Sequence, residues 1–80
     1  MPFVSIKVIE GVFTQEQKQR MIDRVTDAML SVEGENMRPV TWVVVEDTVK
    51  SGDWGIGGQG VTVDAVHAIQ QGRVTAPSIA

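Results

Sequence analysis

Val40-Thr41-Trp42-Val43-Val44-Val45-Glu46 carries four consecutive apolar residues, Trp42 to Val45, inside a segment rich in β-branched side chains. Successive residues of a strand point to opposite faces, so a strand here is apolar on both. Strands of that kind belong to parallel sheets, which are covered on both faces. Met37-Arg38-Pro39 leads into it and is expected to be extended, because the residue before a proline disfavours the helical region.

Upstream, residues 2–9 alternate, with Pro2, Val4, Ile6 and Val8 on one side and Phe3, Ser5, Lys7 and Ile9 on the other. This reads as a strand whose proline is tolerable because it comes first. Glu10-Gly11 breaks it. Thr14-Gln15-Glu16-Gln17 then fits a capping box, in which the Thr14 hydroxyl and the Gln17 side chain satisfy backbone donors reciprocally. Met21, Ile22, Val25, Ala28, Met29 and Val32 follow as one apolar helical stripe, and Gly34 ends the helix. Strand, helix and strand make a βαβ unit with an expected right-handed crossover.

Two strands and one helix cannot cover both faces of the second strand, and a two-stranded sheet is marginal alone. A chain of 80 residues buries only about 60% of its unfolded surface. The usual remedies are disulfides, a metal or self-association. The chain has no cysteine and a single histidine, His67, so self-association remains. The expected fold is therefore α/β (α+β): a β-α-β protomer with parallel strands and a C-terminal hairpin or short helix, its sheets completed by oligomerisation. Residues 1–80 read as a single domain with a core over 2–60. The extension 61–80 holds an amphipathic piece from Val61 to Gln71. Its apolar tail, Val74 to Ala80, is expected to pack on a neighbouring subunit.

The net charge is −3, with seven basic residues that form no run, so a phosphate backbone has no electrostatic footprint to meet. No apolar stretch is long enough to cross a bilayer. The first residues lack a basic segment followed by an apolar one, so no secretory signal is read. A soluble cytoplasmic protein without nucleic-acid or membrane partners is the expectation.

Gly55-Ile56-Gly57-Gly58-Gln59-Gly60 spells the G-x-G-x-x-G of dinucleotide sites. That use requires a strand before it, a helix after it and a longer βαβ unit. Here the stretch is better read as a tight hairpin needing positive φ and close backbone approach. His67 has no partner at metal or triad spacing and reads as a structural histidine. Glu46-Asp47 reads as a solvated strand end. Pro2 is different. If Met1 is removed, Pro2 carries a free secondary amine at the mouth of a strand. An α-amino group titrates near roughly 8, and apolar surroundings lower that value. Such a group serves as a general base near neutral pH. With Met1 attached, the nitrogen is an amide and no base exists.

The opening Pro2-Phe3-Val4-Ser5-Ile6-Lys7-Val8-Ile9-Glu10-Gly11, the helix entry Thr14-Gln15-Glu16-Gln17-Lys18 and the later Trp54-Gly55-Ile56-Gly57-Gly58 resemble the tautomerase superfamily. The closest resemblance is to its small 4-oxalocrotonate tautomerase (2-hydroxymuconate tautomerase) branch, and it covers residues 2 to about 60. It implies a cofactor-free enzyme whose amino-terminal proline moves a proton between carbon and oxygen of an enol or unsaturated acid. It also implies a protomer that assembles into dimers and hexamers. Pro2 matches the family base, and Trp54 matches the aromatic wall of the pocket. Two arginines of the family are replaced, by Val12 after Glu10-Gly11 and by Trp42 in the second strand. Arg38, Lys7 or Arg73 is then needed as a substitute cation, and Arg38 is the preferred one. Trp42 suits a more apolar substrate, such as a monoacid, an aldehyde or an aromatic enol.

The expected function is accordingly a tautomerase with Pro2 as general base and then acid, Trp54, Trp42 and Arg38 as substrate-binding residues, and no metal. The rivals are a dehalogenase- or decarboxylase-like reaction aided by Glu46 or Asp47, and a non-catalytic ligand-binding or structural oligomer on the same scaffold.

Overall fold

The computed structural model describes residues 1–73, so the expected packing of the tail lies outside the described residues. The chain runs β1 (Phe3–Ile9), α1 (Gln15–Glu33), a 3-10 turn (Glu35–Val40), β2 (Trp42–Val49), β3 (Trp54–Ile56), β4 (Gln59–Val61) and α2 (Val63–Gln70). β1 pairs with β2, and β3 with β4. The Trp42 N–H donates to the Pro2 carbonyl at 3.1 Å, and the Glu10 N–H donates to the Val49 carbonyl at 2.7 Å. Both chains advance together between those bonds, so β1 and β2 are parallel, as the doubly apolar second strand required.

One compact unit comprises Met1–Lys7 and Phe13–Glu46. Alternation in β1 is strict: Phe3, Ser5 and Lys7 are exposed while Val4 and Ile6 are half-buried. The capping box of α1 is complete. The Gln17 N–H donates to Thr14 Oγ1 at 3.1 Å, and the Thr14 N–H donates to Gln17 Oε1 at 2.8 Å. Gly34 closes the helix with its N–H on the Leu30 carbonyl at 2.8 Å.

Two expectations for this unit need correction. The covered face of α1 holds Met21, Ile22, Val25 and Met29 as expected, together with Lys18, Thr26, Leu30 and Glu33, with Leu30 buried, whereas Ala28 and Val32 are exposed. The stripe thus departs from the expected one in its last turns, where Leu30 and Glu33 are covered in place of Ala28 and Val32. Residues 37–39 are not extended but lie in the 3-10 turn with Pro39 inside it, so β2 begins at Trp42 and runs on to Val49. Side-chain bonds override the local preference before proline: the single Thr41 hydroxyl proton is shared between the Met37 carbonyl, 2.9 Å from Oγ1, and Glu33, and Arg38 is held by two carboxylates described below.

The other unit, among the described residues, comprises Val8–Val12 and residues 47–73. Its core is Ile9, Val12 and Val61. β3 and β4 are antiparallel, pairing Trp54 with Val61 and Ile56 with Gln59. Gly57 and Gly58 turn between them at φ of 58° and 85°. Consecutive positive φ values are what a two-residue hairpin turn of this hand demands, and glycine adopts them without a Cβ penalty. Gly60 answers a second need, because a Cβ there would stand 2.3 Å from the Gly52 carbonyl oxygen. The tight hairpin read from the glycine spacing is thus present. α2 begins after Thr62, whose hydroxyl accepts from the Ala65 N–H at 3.1 Å.

Glu46-Asp47 was expected at a strand end but lies inside β2, and Glu46 faces Lys7 at 4.0 Å.

Candidate active site

Pro2 precedes β1 and is half-buried, while Met1 before it is exposed. The bond from the Trp42 N–H to the Pro2 carbonyl fixes the proline's carbonyl end at the start of the parallel pair. Its nitrogen, bonded to Met1 in the full chain, is the atom that Met1 removal would free.

Trp42 sits beside it with its indole turned to the open face of the strand pair. Trp42 is 54% exposed and its ring lies 6.4 Å from that of Phe3, tilted by 41°, with Phe3 itself 61% exposed. Such a spacing and tilt is a favourable aromatic arrangement. The partnership was not foreseen, although both rings fall on one face once the parallel register is known. Trp54, in the other unit, is half-buried in β3 opposite Val61.

Arg38 is not an idle cation. Its Nε donates to Glu35 Oε1 at 2.6 Å and its Nη2 to Asp27 Oδ1 at 3.1 Å. These bonds, with Glu35 first, hold the guanidinium pKa above its ordinary value. A substrate carboxylate would compete with two carboxylates already in place. Lys7 faces Glu46, and Lys50 meets Glu10 at 3.0 Å. Val12, standing where the resemblance implies an arginine, is 7% exposed and belongs to the core. Its carbonyl lies 3.2 Å from His67 Nε2. A carbonyl only accepts, so His67 carries its proton on Nε2 and ties α2 to the Gly11-Val12 turn. That is the structural role read from its isolation. No group of three metal-ligating side chains gathers among the described residues.

A proline heading a parallel βαβ unit, with a glycine hairpin beyond it, agrees with what comparison finds. The family described as "Tautomerase enzyme" matches residues 2–64. This chain belongs to the tautomerase family. "Probable tautomerase K2" of Dickeya dadantii is 44% identical over 62 residues, covering 78% of this chain and 90% of the relative. A "Probable tautomerase" of Helicobacter pylori is 41% identical over 73 residues, covering 89% and 97%. A solved chain from the kinetic and structural characterization of the 4-oxalocrotonate tautomerase isozymes of Methylibium petroleiphilum superposes with a TM-score of 0.64 at 40% identity. It covers 81% of this chain and 97% of its own. The matched residues 2–64 include Pro2, Trp42 and Trp54. No helix among the described residues is long and apolar enough to cross a membrane.

Proposed function

We propose that the chain is a cofactor-independent tautomerase in which Pro2, freed of Met1, takes a proton from an enol oxygen and returns it to carbon. The observation that carries this reading is a half-buried proline at residue 2 of a tautomerase-family chain, behind an exposed methionine. Partial burial disfavours the charged amine and brings a secondary amine toward neutral pH, where a general base is most effective.

Trp42, next to Pro2 in the same unit, serves as an apolar wall for the substrate, and Trp54 is given the aromatic role that the family likeness implies. Apolar side chains in these roles direct the enzyme to an enol with an apolar or aromatic body and one carboxylate. Arg38, engaged by Glu35 and Asp27, is given the role of holding its turn rather than gripping substrate. The protomer works as a homo-oligomer, with a hexamer built from three dimers as the expected form. Support comes from a thin core: Ile9, Val12, Leu30 and Val61 are the buried apolar residues among those described, while Phe3, Val32 and Trp42 stay exposed.

The test is an intact mass followed by turnover of phenylenolpyruvate at neutral pH. A mass short of the full-length value by one methionine residue, together with turnover, supports the proposal. A processed protein inert toward enols overturns it in favour of a non-catalytic oligomer.

A further inference from the structure

An open groove in the unit formed by Met1–Lys7 and Phe13–Glu46 has a volume of about 290 Å³ and is lined by Phe13, Gln17, Arg20, Met21 and Arg24. Its polar chemistry is one-sided. Arg20 and Arg24 stand one helical turn apart, where side chains are neighbours and like charges repel. Neither has an ion-pair partner among the described residues. The capping box settles the third polar group. Gln17 Oε1 accepts from the Thr14 N–H, which leaves the amide Nε2 as the end free to meet a ligand. Gln17, Arg20 and Arg24 therefore offer donors and no free strong acceptor. Phe13 and Met21, both half-buried, supply the apolar remainder.

We infer that this groove is a second ligand site, separate from Pro2, that binds a small monocarboxylate with an aromatic body. The carboxylate bridges the two guanidiniums, which relieves their repulsion and forms charge-assisted hydrogen bonds. The ring lies against Phe13 and Met21, where offset or edge contact with the phenyl ring and thioether contact are both favourable. The volume lies at the small end of the range for ligand pockets, which suits a single ring with a short acid arm. The inference does not depend on Pro2 being a base.

The test is a titration of the full-length, isotope-labelled protein with sodium phenylacetate, followed by its amide spectrum and by calorimetry, with neutral phenylacetamide as the control. Saturable shifts are expected at Phe13, Gln17, Arg20 and Arg24, with phenylacetamide much weaker. Arg20→Gln combined with Arg24→Gln is expected to weaken phenylacetate by roughly tenfold or more. Gln17→Glu keeps the cap, since glutamate also fits the capping box, but places an acceptor and a negative charge at the groove. It too should weaken binding. Equal binding of the amide, shifts centred on Phe3 and Trp42 instead, or unchanged affinity in the double variant would each overturn the inference. So would a double variant that alters only the sedimentation coefficient, because the groove would then belong to a second copy of the chain.

Discussion

The Trp42 N–H donates to the carbonyl of Pro2 at 3.1 Å, so the first bond of the parallel strand pair is made by the residue proposed as the base. That bond uses the main chain of Pro2 and leaves its ring nitrogen out of the ladder. Replacing the side chain therefore separates structure from chemistry. Pro2→Ala keeps the carbonyl and the ladder but replaces a secondary amine with a primary one. Its melting temperature and sedimentation coefficient should match the parent. Its kcat/KM for phenylenolpyruvate should fall by roughly 10²-fold or more, the usual worth of a positioned general acid–base. Undiminished turnover would sink the proline mechanism.

The hairpin offers a sharper test of packing than of chemistry. Gly60→Ala puts a Cβ against the Gly52 carbonyl at 2.3 Å, and the obstacle is backbone that cannot swing aside. A loss of about 1–3 kcal/mol is expected in denaturant unfolding, as for other overpacked sites. Gly55→Ala, at the position paired with Gly60 yet facing open space, is the control and should stay within about 0.5 kcal/mol. If the two variants unfold alike, the close approach of Gly52 and Gly60 does not exist in solution.

Much of this architecture was legible in the residues because several signals agreed. The alternation of residues 3–8, the Thr14–Gln17 cap and the two-faced apolar run of Trp42 to Val45 each have one economical reading. The 3-10 turn was not legible. Its cause is the convergence of Glu35 and the distant Asp27 on Arg38, and of Glu33 on Thr41, which no local preference announces. Leu30 was overlooked because its neighbours Met29 and Val32 suggested a stripe centred elsewhere. The candidate roles of Pro2 and Trp54 rest on family-like motifs. The Phe3–Trp42 contact needed the strand register, and Arg38 looked available until its two partners were seen.

Arg38→Gln tests that last point. Loss of the charged fork removes the contacts to Glu35 and Asp27, so the variant should unfold more easily at low salt and converge on the parent at high salt, where exposed pairs are screened. Its KM for phenylenolpyruvate should not change. A raised KM with an intact melting temperature would instead make Arg38 a ligand of the substrate carboxylate.

The resemblance implies an arginine where this chain has Trp42, and this yields the prediction with the clearest sign. Trp42 is more than half exposed and leans on Phe3 at the open face of the strand pair, so removing the indole opens no deep cavity. Trp42→Arg sets a guanidinium in its place and should shift preference toward an enol bearing two carboxylates. A charged hydrogen bond contributes about 1.5–3 kcal/mol, which corresponds to roughly tenfold or more in affinity. The ratio of kcat/KM for 2-hydroxymuconate over phenylenolpyruvate should rise by about that factor, through a lower KM for the diacid and a higher one for the aromatic enol. The double replacement with Val12→Arg is not expected to add to it, because Val12 is a buried core residue and a charge there would lack a partner. An unchanged ratio in the single variant would mean that Trp42 does not line the pocket.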